Sequence, residues 1–361
     1  MFNKVIKKII QSRKKRIFRK YVINDFSLCE DIKISNNVKK FCKKHLFSIS
    51  DYYVLNLKHN NYKDYVPSLW AYYPRFKNDQ TMLPISDNKF ISSYVYSKYF
   101  NMPKTVGILQ NNTFRGADEF YNFTIDDLFQ YSKHNALILK PYDGQNGNSI
   151  FSLECKNDCF YFNRCLMSKE QIIKELKKAN HLIVQEEAKQ SEYSSKIFPD
   201  SINTIRIVSA RKKECKEHEI LCAVHRFGNH ITKTCDNFNQ GGFSSWIDIK
   251  SGTLGPLRSF HKEFRDKNDI SISFDKHPDT GAVVTGIVIP FWNLITEKII
   301  SFSKECPVFE FLAWDIFLDK NNVVSLIETN TKSSLNVFQI HAPVLNTKFG
   351  ETLRRYKNEK I

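Results

Sequence analysis

FLAWDIFLDKNNVVSLIETN, residues 311–330, reads as a β-hairpin that carries a metal site. Two β-rich runs, Phe311–Leu318 and Val323–Thr329, flank the polar tetrad Asp319-Lys320-Asn321-Asn322, and Asn-Asn suits the positive φ angles of a tight turn. With Asn321 and Asn322 as a two-residue loop, Asp315 falls opposite Glu328. Alternation along the strand puts Asn330 on that same face and sends Trp314, Ile316, Leu318 and Ile327 into a core. Facing carboxylates repel unless a cation lies between them. Two carboxylates and an amide oxygen are hard ligands suited to Mg²⁺, which is usually shared with substrate phosphates. A hairpin whose Asp and Glu merely face water would give the same pattern.

Around this stretch, 361 residues that are 42% hydrophobic can bury one large core or two to three modest ones. Nine cysteines, an odd number without CxxC spacing, suggest neither a disulfide framework nor a zinc ribbon, and fit a reducing cytoplasm. There is no run of eighteen apolar residues and no signal-peptide core, so the sequence predicts a cytoplasmic chain that neither spans a membrane nor is exported. The net charge of +16 is concentrated at the start, where Met1–Lys20 holds nine Lys or Arg and no acid. Phe2, Val5, Ile6, Ile9 and Ile10 recur there at helical spacing. Such a basic amphipathic helix suits peripheral contact with an anionic membrane face or a phosphorylated, lipid-linked substrate, or simply packs one face on its domain. Nucleic acid is disfavoured, because no recognised nucleic-acid motif accompanies the charge.

In chain order, residues 1–80 read as a basic helical region ending in a Pro- and aromatic-rich passage from Val66 to Phe76. Ser86 or Asp87 caps a helix through Phe100, and a strand follows to Leu109. Thr124 with Asp127 and Ser168 with Gln171 are capping patterns for two further helices. Strands are expected at Ala136–Lys140, Ser149–Leu153, Leu182–Glu186, Thr204–Ala210, Ile220–Arg226, Trp246–Ile249 and Ala282–Ile289. Pro290 then opens a helix with Trp292, Ile295, Ile299 and Phe302 inward. This order predicts an α+β architecture of two subdomains, 81–186 and 187–361, with a cleft between them. The loop after Lys140, with Gly144 and Gly147, suits a phosphate cover because glycines let backbone N–H groups approach an anion; an ordinary turn would look the same.

Taken together, Asn88-Lys89, LILKPYDGQNGNSI (137–150), LIVQEE (182–187), FPDSINTIRIVSA (198–210), DNFNQGG (236–242), HPDTGAVVTGIVIP (277–290) and the opening hairpin resemble ATP-grasp enzymes. The branch they resemble is associated with sugar transfer and bacterial surface-polysaccharide biosynthesis. The resemblance runs from about Asp87 to Pro343. It implies ATP and Mg²⁺ as cofactors, with Asp315, Glu328 and Asn330 as metal ligands and Lys89 and Lys140 on the phosphates. It further implies that residues 144–147 are a lid and that Gln185, Glu186 and Glu187 form the adenine hinge. Arg206 and Arg226 suit phosphate through their planar forks, and the resemblance makes them, with Lys140, the candidates for catalytic charge stabilisation. Asp236, Asn237, Gly241, Gly242 and His277 are candidate substrate contacts, and His225 a weaker one. Two departures stand out: Ala313 replaces an arginine that the D-alanine:D-alanine ligase branch places before its first metal-binding Asp, and Gln190-Ser191 replaces a glutamine-histidine pair. The implied reaction is carboxylate–amine ligation through an acyl phosphate. The acid would be an acidic sugar or an amino acid, and an amine the acceptor. A sugar or polyol kinase and a non-catalytic ATP-binding assembly factor are the alternatives.

Overall fold

A computed structural model of the chain describes residues 20–143, 150–179, 181–212, 215, 217–266 and 271–359. The basic segment 1–19 and the glycine loop 144–149 lie outside the described residues.

Two seven-stranded antiparallel sheets make up the framework. The first contains β1 (Thr105–Gln110), β2 (Thr113–Gly116), β3 (Leu137–Pro141), β4 (Phe151–Lys156), β5 (Cys159–Phe162), β6 (Cys165–Leu166) and β7 (Leu182–Glu186) in the order β2-β1-β7-β3-β4-β5-β6. Helices Ile125–Tyr131 and Lys169–Leu176 pack on it, and both begin with the capping boxes expected at Thr124/Asp127 and Ser168/Gln171.

The second sheet contains β8 (Ile205–Arg211), β9 (His218–Phe227), β10 (Phe243–Ile247), β11 (Leu254–Arg258), β12 (Ser273–Phe274), β13 (Phe311–Leu318) and β14 (Val324–Asn330), ordered β12-β11-β10-β9-β8-β13-β14. All eight residues of β13 are buried, as a strand covered on both faces must be. On one face Trp314, Ile316 and Leu318 meet Trp292, Ile295, Ile299 and Phe302 of helix Trp292–Glu305. On the other, Phe311 and Ala313 with Val208 and Ala210 are covered by Cys42, Phe47, Val54, Leu57, Val66 and Trp70 from the N-terminal region and by Phe349 and Leu353 near the C-terminus. Residues 23–71 thus share a core with the second sheet.

Several expectations are corrected. The hairpin loop is not two residues: Asp319 pairs with Val323, Asn322 alone adopts a positive φ of 62°, and Asp319 Oδ1 accepts from the N–H groups of Asn321 and Val323. This three-residue loop sets the pairing one residue out until a bulge at Ile327 restores Asp315 opposite Glu328. The bulge turns Ile327 out of the core, to line the cleft. Asn88, not Ser86 or Asp87, caps helix Lys89–Tyr96, accepting from Phe90 and Ile91 N–H. Residues 282–289 form only isolated bridges: Val284 and Ile289 anchor the segment in the core while Val283 and Val288 stay about half exposed, so it packs by two side chains and does not pair as a strand. None of the nine cysteines is paired, and among the described residues no helix is long and apolar enough to cross a membrane.

Trp314 is fully buried among Tyr96, Phe100 and Phe302, with its indole N–H donating to Ser209 Oγ at 2.8 Å. Replacing it by alanine opens a cavity and leaves that hydroxyl without its donor, so Trp314→Ala is expected to lose about 3–5 kcal/mol in urea-unfolding measurements, with Trp314→Phe losing less.

Candidate active site

Three strands of the second sheet deliver the central charges in one row. Register places Arg206 of β8 opposite Asp315 of β13, and Asp315 opposite Glu328 of β14. The three side chains therefore share a face. Arg206 grips the Asp315 carboxylate with both arms of its fork, from Nε to Oδ1 and from Nη2 to Oδ2 at 2.8 Å. Arg226 of β9 reaches Asp315 Oδ2 at 3.2 Å and Asp236 Oδ1 at 3.3 Å. Thr204 ties this second arginine down: its hydroxyl oxygen accepts from Arg226 Nε at 3.0 Å, while its N–H donates to Asp236 Oδ2 at 2.8 Å. Asn330, two residues beyond Glu328, donates to Glu328 Oε1 at 3.3 Å.

Two lysines complete the array, one from the helix that packs on the second sheet and one from the first sheet. Lys89 stands at the first position of its helix, positioned by the Asn88 cap and by its own N–H donating to Tyr142 O at 2.7 Å, and its Nζ lies 3.3 Å from Glu328. Lys140 projects from β3. Burial lowers its ammonium to about 8; Glu328 works in the opposite direction and the positive charge of Lys89 adds to the lowering. Burial alone would raise the Glu328 carboxyl, but Lys89, Lys140 and Arg206 together hold it well below the ordinary carboxylate range. Five cationic side chains at this end, Lys89, Lys140, Arg206, Arg226 and Lys332, face three carboxylates, Asp315, Glu328 and Asp236. The surplus positive charge suits a polyphosphate.

Asp315, Glu328 and Asn330 line one cleft with all five cations. Their oxygen donors fit a hard cation: a carboxylate has about four lone-pair positions, and the two arginines take three of those on Asp315, leaving one to ligate. Among the described residues no group of three His, Cys, Asp or Glu side chains forms a metal cage, so a cation here would draw further ligands from phosphates.

The hinge residues Gln185, Glu186 and Glu187 also line the cleft. The Gln185 amide is committed to Pro103 O and Thr105 Oγ1, and Glu186 accepts from the Tyr131 hydroxyl, which leaves Glu187 the exposed carboxylate of the three. In the 236–242 loop only the first part reaches the cleft. Asp236 and Asn237 line it, whereas Gly241 and Gly242 fold the chain back behind them. Gly241 takes a φ of 104°, and a Cβ on Gly242 would stand 2.9 Å from Asp236 O. His277 lies away from the cleft lining, fully buried, with Nε2 donating to Gly228 O at 2.8 Å and Nδ1 accepting from Asp279 N–H. His225 points to the opposite face of the sheet and stacks on Phe227; both histidines are lowered by burial. Gln190 lines the cleft, but its amide is committed to the fold, donating to Phe198 O and accepting from Asn203 N–H. Gly144 and Gly147 fall outside the described residues.

Sequence reasoning missed Thr204, Ser333 and Lys332. Ser333 Oγ accepts from Arg206 Nη1 at 3.5 Å, and Lys332 holds its ammonium 4.6 Å from the centre of the Tyr72 ring. Thr204 sat in plain view two residues before Arg206; what hid it was its partner, Asp236, more than thirty residues away.

A family model described as sugar-transfer associated ATP-grasp matches residues 69–351. Solved structures with similar chains include D-alanyl-alanine synthetase A from Vibrio cholerae O1 biovar eltor str. N16961 (13% identity, 75% of this chain and 64% of that one, TM-score 0.42). D-alanine–D-alanine ligase from Bacillus anthracis gives 12% identity, 76% and 64% coverage and a TM-score of 0.36. N5-carboxyaminoimidazole ribonucleotide synthetase from Thermotoga maritima gives 11% identity, 78% and 51% coverage and a TM-score of 0.39. The chain spans less than two thirds of the length of each. No curated protein matches it. With the family match extending over most of its length, on a framework of two antiparallel sheets flanking a cation-rich cleft, the chain belongs to the sugar-transfer associated ATP-grasp family.

Proposed function

We propose that the protein is an ATP-dependent carboxylate–amine ligase that activates an acidic sugar or an amino acid as its acyl phosphate and passes the acyl group to an amine, in the synthesis of a surface polysaccharide. The observation that carries this reading is the Arg206–Asp315–Glu328–Lys89 array across the cleft, with Arg226 and Lys140 beside it. A bound Mg²⁺ would supply charge neutralisation between the β- and γ-phosphates. Asp315, Glu328 and Asn330 would hold it. Lys89 and Lys140 would carry the nucleotide phosphates, and Arg206 and Arg226 would balance charge on the transferred phosphoryl oxygens.

The acid's carboxylate attacks the γ-phosphorus as the bond to the β-phosphate oxygen breaks, releasing ADP. The amine then attacks the acyl carbon, loses a proton and expels phosphate. A carboxylate nucleophile arrives already ionised. This favours ligation over alcohol phosphorylation, because each carboxylate at the phosphate end is engaged by a cation and no histidine stands among the described lining residues to take an alcohol's proton.

Incubation with ATP, Mg²⁺, hydroxylamine and a panel of uronic acids and amino acids is expected to give a hydroxamate with the true acid. A stable phosphosugar without hydroxamate would instead mark a kinase. Lys89→Ala and Glu328→Gln are expected to lower turnover by about 10²–10³.

Lys140 gives a test by pH. In the reductively ¹³C-methylated protein its resonance is expected to titrate near 8, and lower still in Glu328→Gln, where the raising charge is gone. Because the folded value lies below the ordinary lysine value of 10.5, the unfolded chain binds more protons between those two pH values. Wild type should therefore gain stability relative to Lys140→Met as pH rises from about 8 to 10.5. The nine basic residues of 1–20 are proposed to meet an anionic lipid surface or lipid-linked substrate, and deleting them is expected to abolish sedimentation with phosphatidylglycerol liposomes.

A further inference from the structure

Of the five cations at the phosphate end, four answer to its carboxylates and one does not. Lys89 meets Glu328, Arg206 and Arg226 meet Asp315, and Lys140 sits in the field of Glu328. Lys332 makes no ion pair among the described residues. The neighbouring carboxylate, Asp87, is taken by Arg75 and by the Thr331 hydroxyl at 3.2 Å, and the Lys332 ammonium rests over the Tyr72 ring instead, 4.6 Å from its centre. A ring is a weaker partner than a carboxylate, so a half-buried ammonium held this way keeps most of its demand for an anion. Lys332 stands two residues past Asn330, and its neighbour Ser333 touches Arg206. A ligand held there therefore borders the phosphate end.

The walls beside Lys332 are polar but neutral. Residues 332–337 and 237–240 both line the cleft, and apart from Lys332 none of them is charged. Asn336 ties the two segments together: its Oδ1 accepts from Ser334 Oγ and from Val337 N–H, and its Nδ2 donates to Asn239 Oδ1 at 3.3 Å. Asn239 is exposed, and with its oxygen engaged its amide nitrogen has two N–H donors to offer a ligand. Every carboxylate bordering this corner is already matched, Asp236 and Asp315 by arginine, Glu328 by Lys89 and Asp87 by Arg75. An α-amino acid carries its ammonium on the carbon next to its carboxylate, so it would bring that charge among these cations with no acceptor left to meet it. Hydroxyl groups, which both donate and accept, suit the amides and serines. The whole cavity, about 1530 Å³ against the roughly 300–1,000 Å³ of an ordinary ligand pocket, has room for a sugar beside a nucleotide.

We propose that Lys332, braced on Tyr72, binds the carboxylate of the acid substrate, and that the neutral Asn239–Asn336 wall selects an acid whose body is hydroxylated and uncharged: an acidic sugar, not an α-amino acid. This rests on the ligase reading and narrows it. A lysine is a compact point charge that holds one carboxylate oxygen and leaves the other to attack the γ-phosphorus, whereas an arginine fork would occupy both. Arg206 and Arg226 stay with the transferred phosphoryl group, and Lys332 is the residue that decides which acid is presented to it.

The test uses the full chain loaded with the non-hydrolysable analogue AMP-PNP and Mg²⁺, titrated calorimetrically with D-glucuronate, D-galacturonate and D-mannuronate, with the parent neutral hexoses, and with L-alanine and L-glutamate. At least one uronate is expected to bind where its parent hexose and the amino acids do not. Lys332→Met is expected to weaken that uronate by about tenfold or more, and Asn239→Leu by about three- to tenfold, while both variants bind a fluorescent ADP as wild type does, which also shows that they fold. Tighter binding of an amino acid than of any uronate, equal binding of uronate and hexose, binding of none, or a Lys332→Met protein that keeps its uronate affinity or loses ADP in step would overturn the proposal. Calorimetry needs no turnover, so the two readings fail separately. A uronate that binds but yields no hydroxamate with hydroxylamine would count against ligation and leave the subsite standing, whereas hydroxamate formed only from α-amino acids would support ligation and remove the subsite.

Discussion

Asp315 is a carboxylate in the middle of a strand buried along its whole length, and such a charge is tolerable only with partners of excellent geometry. Two arginines supply them, the forked contact from Arg206 and the single one from Arg226. Because the arginines sit on β8 and β9, the pairing also fixes the register of β13 against its neighbour and, through Asp236 and Thr204, draws the 236–242 loop to the same point. An apolar row in these positions would pack at least as stably. The ion network is better understood as a site that the sheet has been built to hold than as the source of the sheet's stability.

The two sides of the cleft are coupled by the same electrostatics. Lys140 belongs to the first sheet and Glu328 to the second; Glu328 raises the Lys140 ammonium, while Lys89 and Lys140 lower the Glu328 carboxyl. Lys89 is additionally tied to the end of β3 through Tyr142. A polyphosphate entering between them would replace Glu328 as the lysines' counter-charge, leaving that carboxylate free to turn to a cation. The lysines and the carboxylates therefore need not move far to change partners.

How much of this the sequence disclosed follows from where each constraint lies. The hairpin was legible because its period-two pattern and its Asn-rich turn are local, and Asp315 does face Glu328. The route to that pairing was not, since a three-residue loop and a bulge at Ile327 cancel in the count and only Ile327 itself betrays the difference. Capping boxes at Thr124 and Ser168 were local and came through intact; the cap at Asn88 was displaced by one or two residues because Ser86, Asp87 and Asn88 are all competent caps and only tertiary contacts choose among them. His277 and Gly241 resembled substrate contacts, but their partners, Gly228, Asn229 and Ser259, are distant in sequence, and it is these that bury them behind the cleft. Short strands such as β6 and β12 have two residues each and no periodicity to read.

The N-terminal region was the least legible part, and the reason is physical. Its helices are short, and Val54, Val66 and Trp70 look unremarkable until the apolar half of the second sheet's face is laid against them. That packing makes the region a structural roof and, at the roof's edge, a wall.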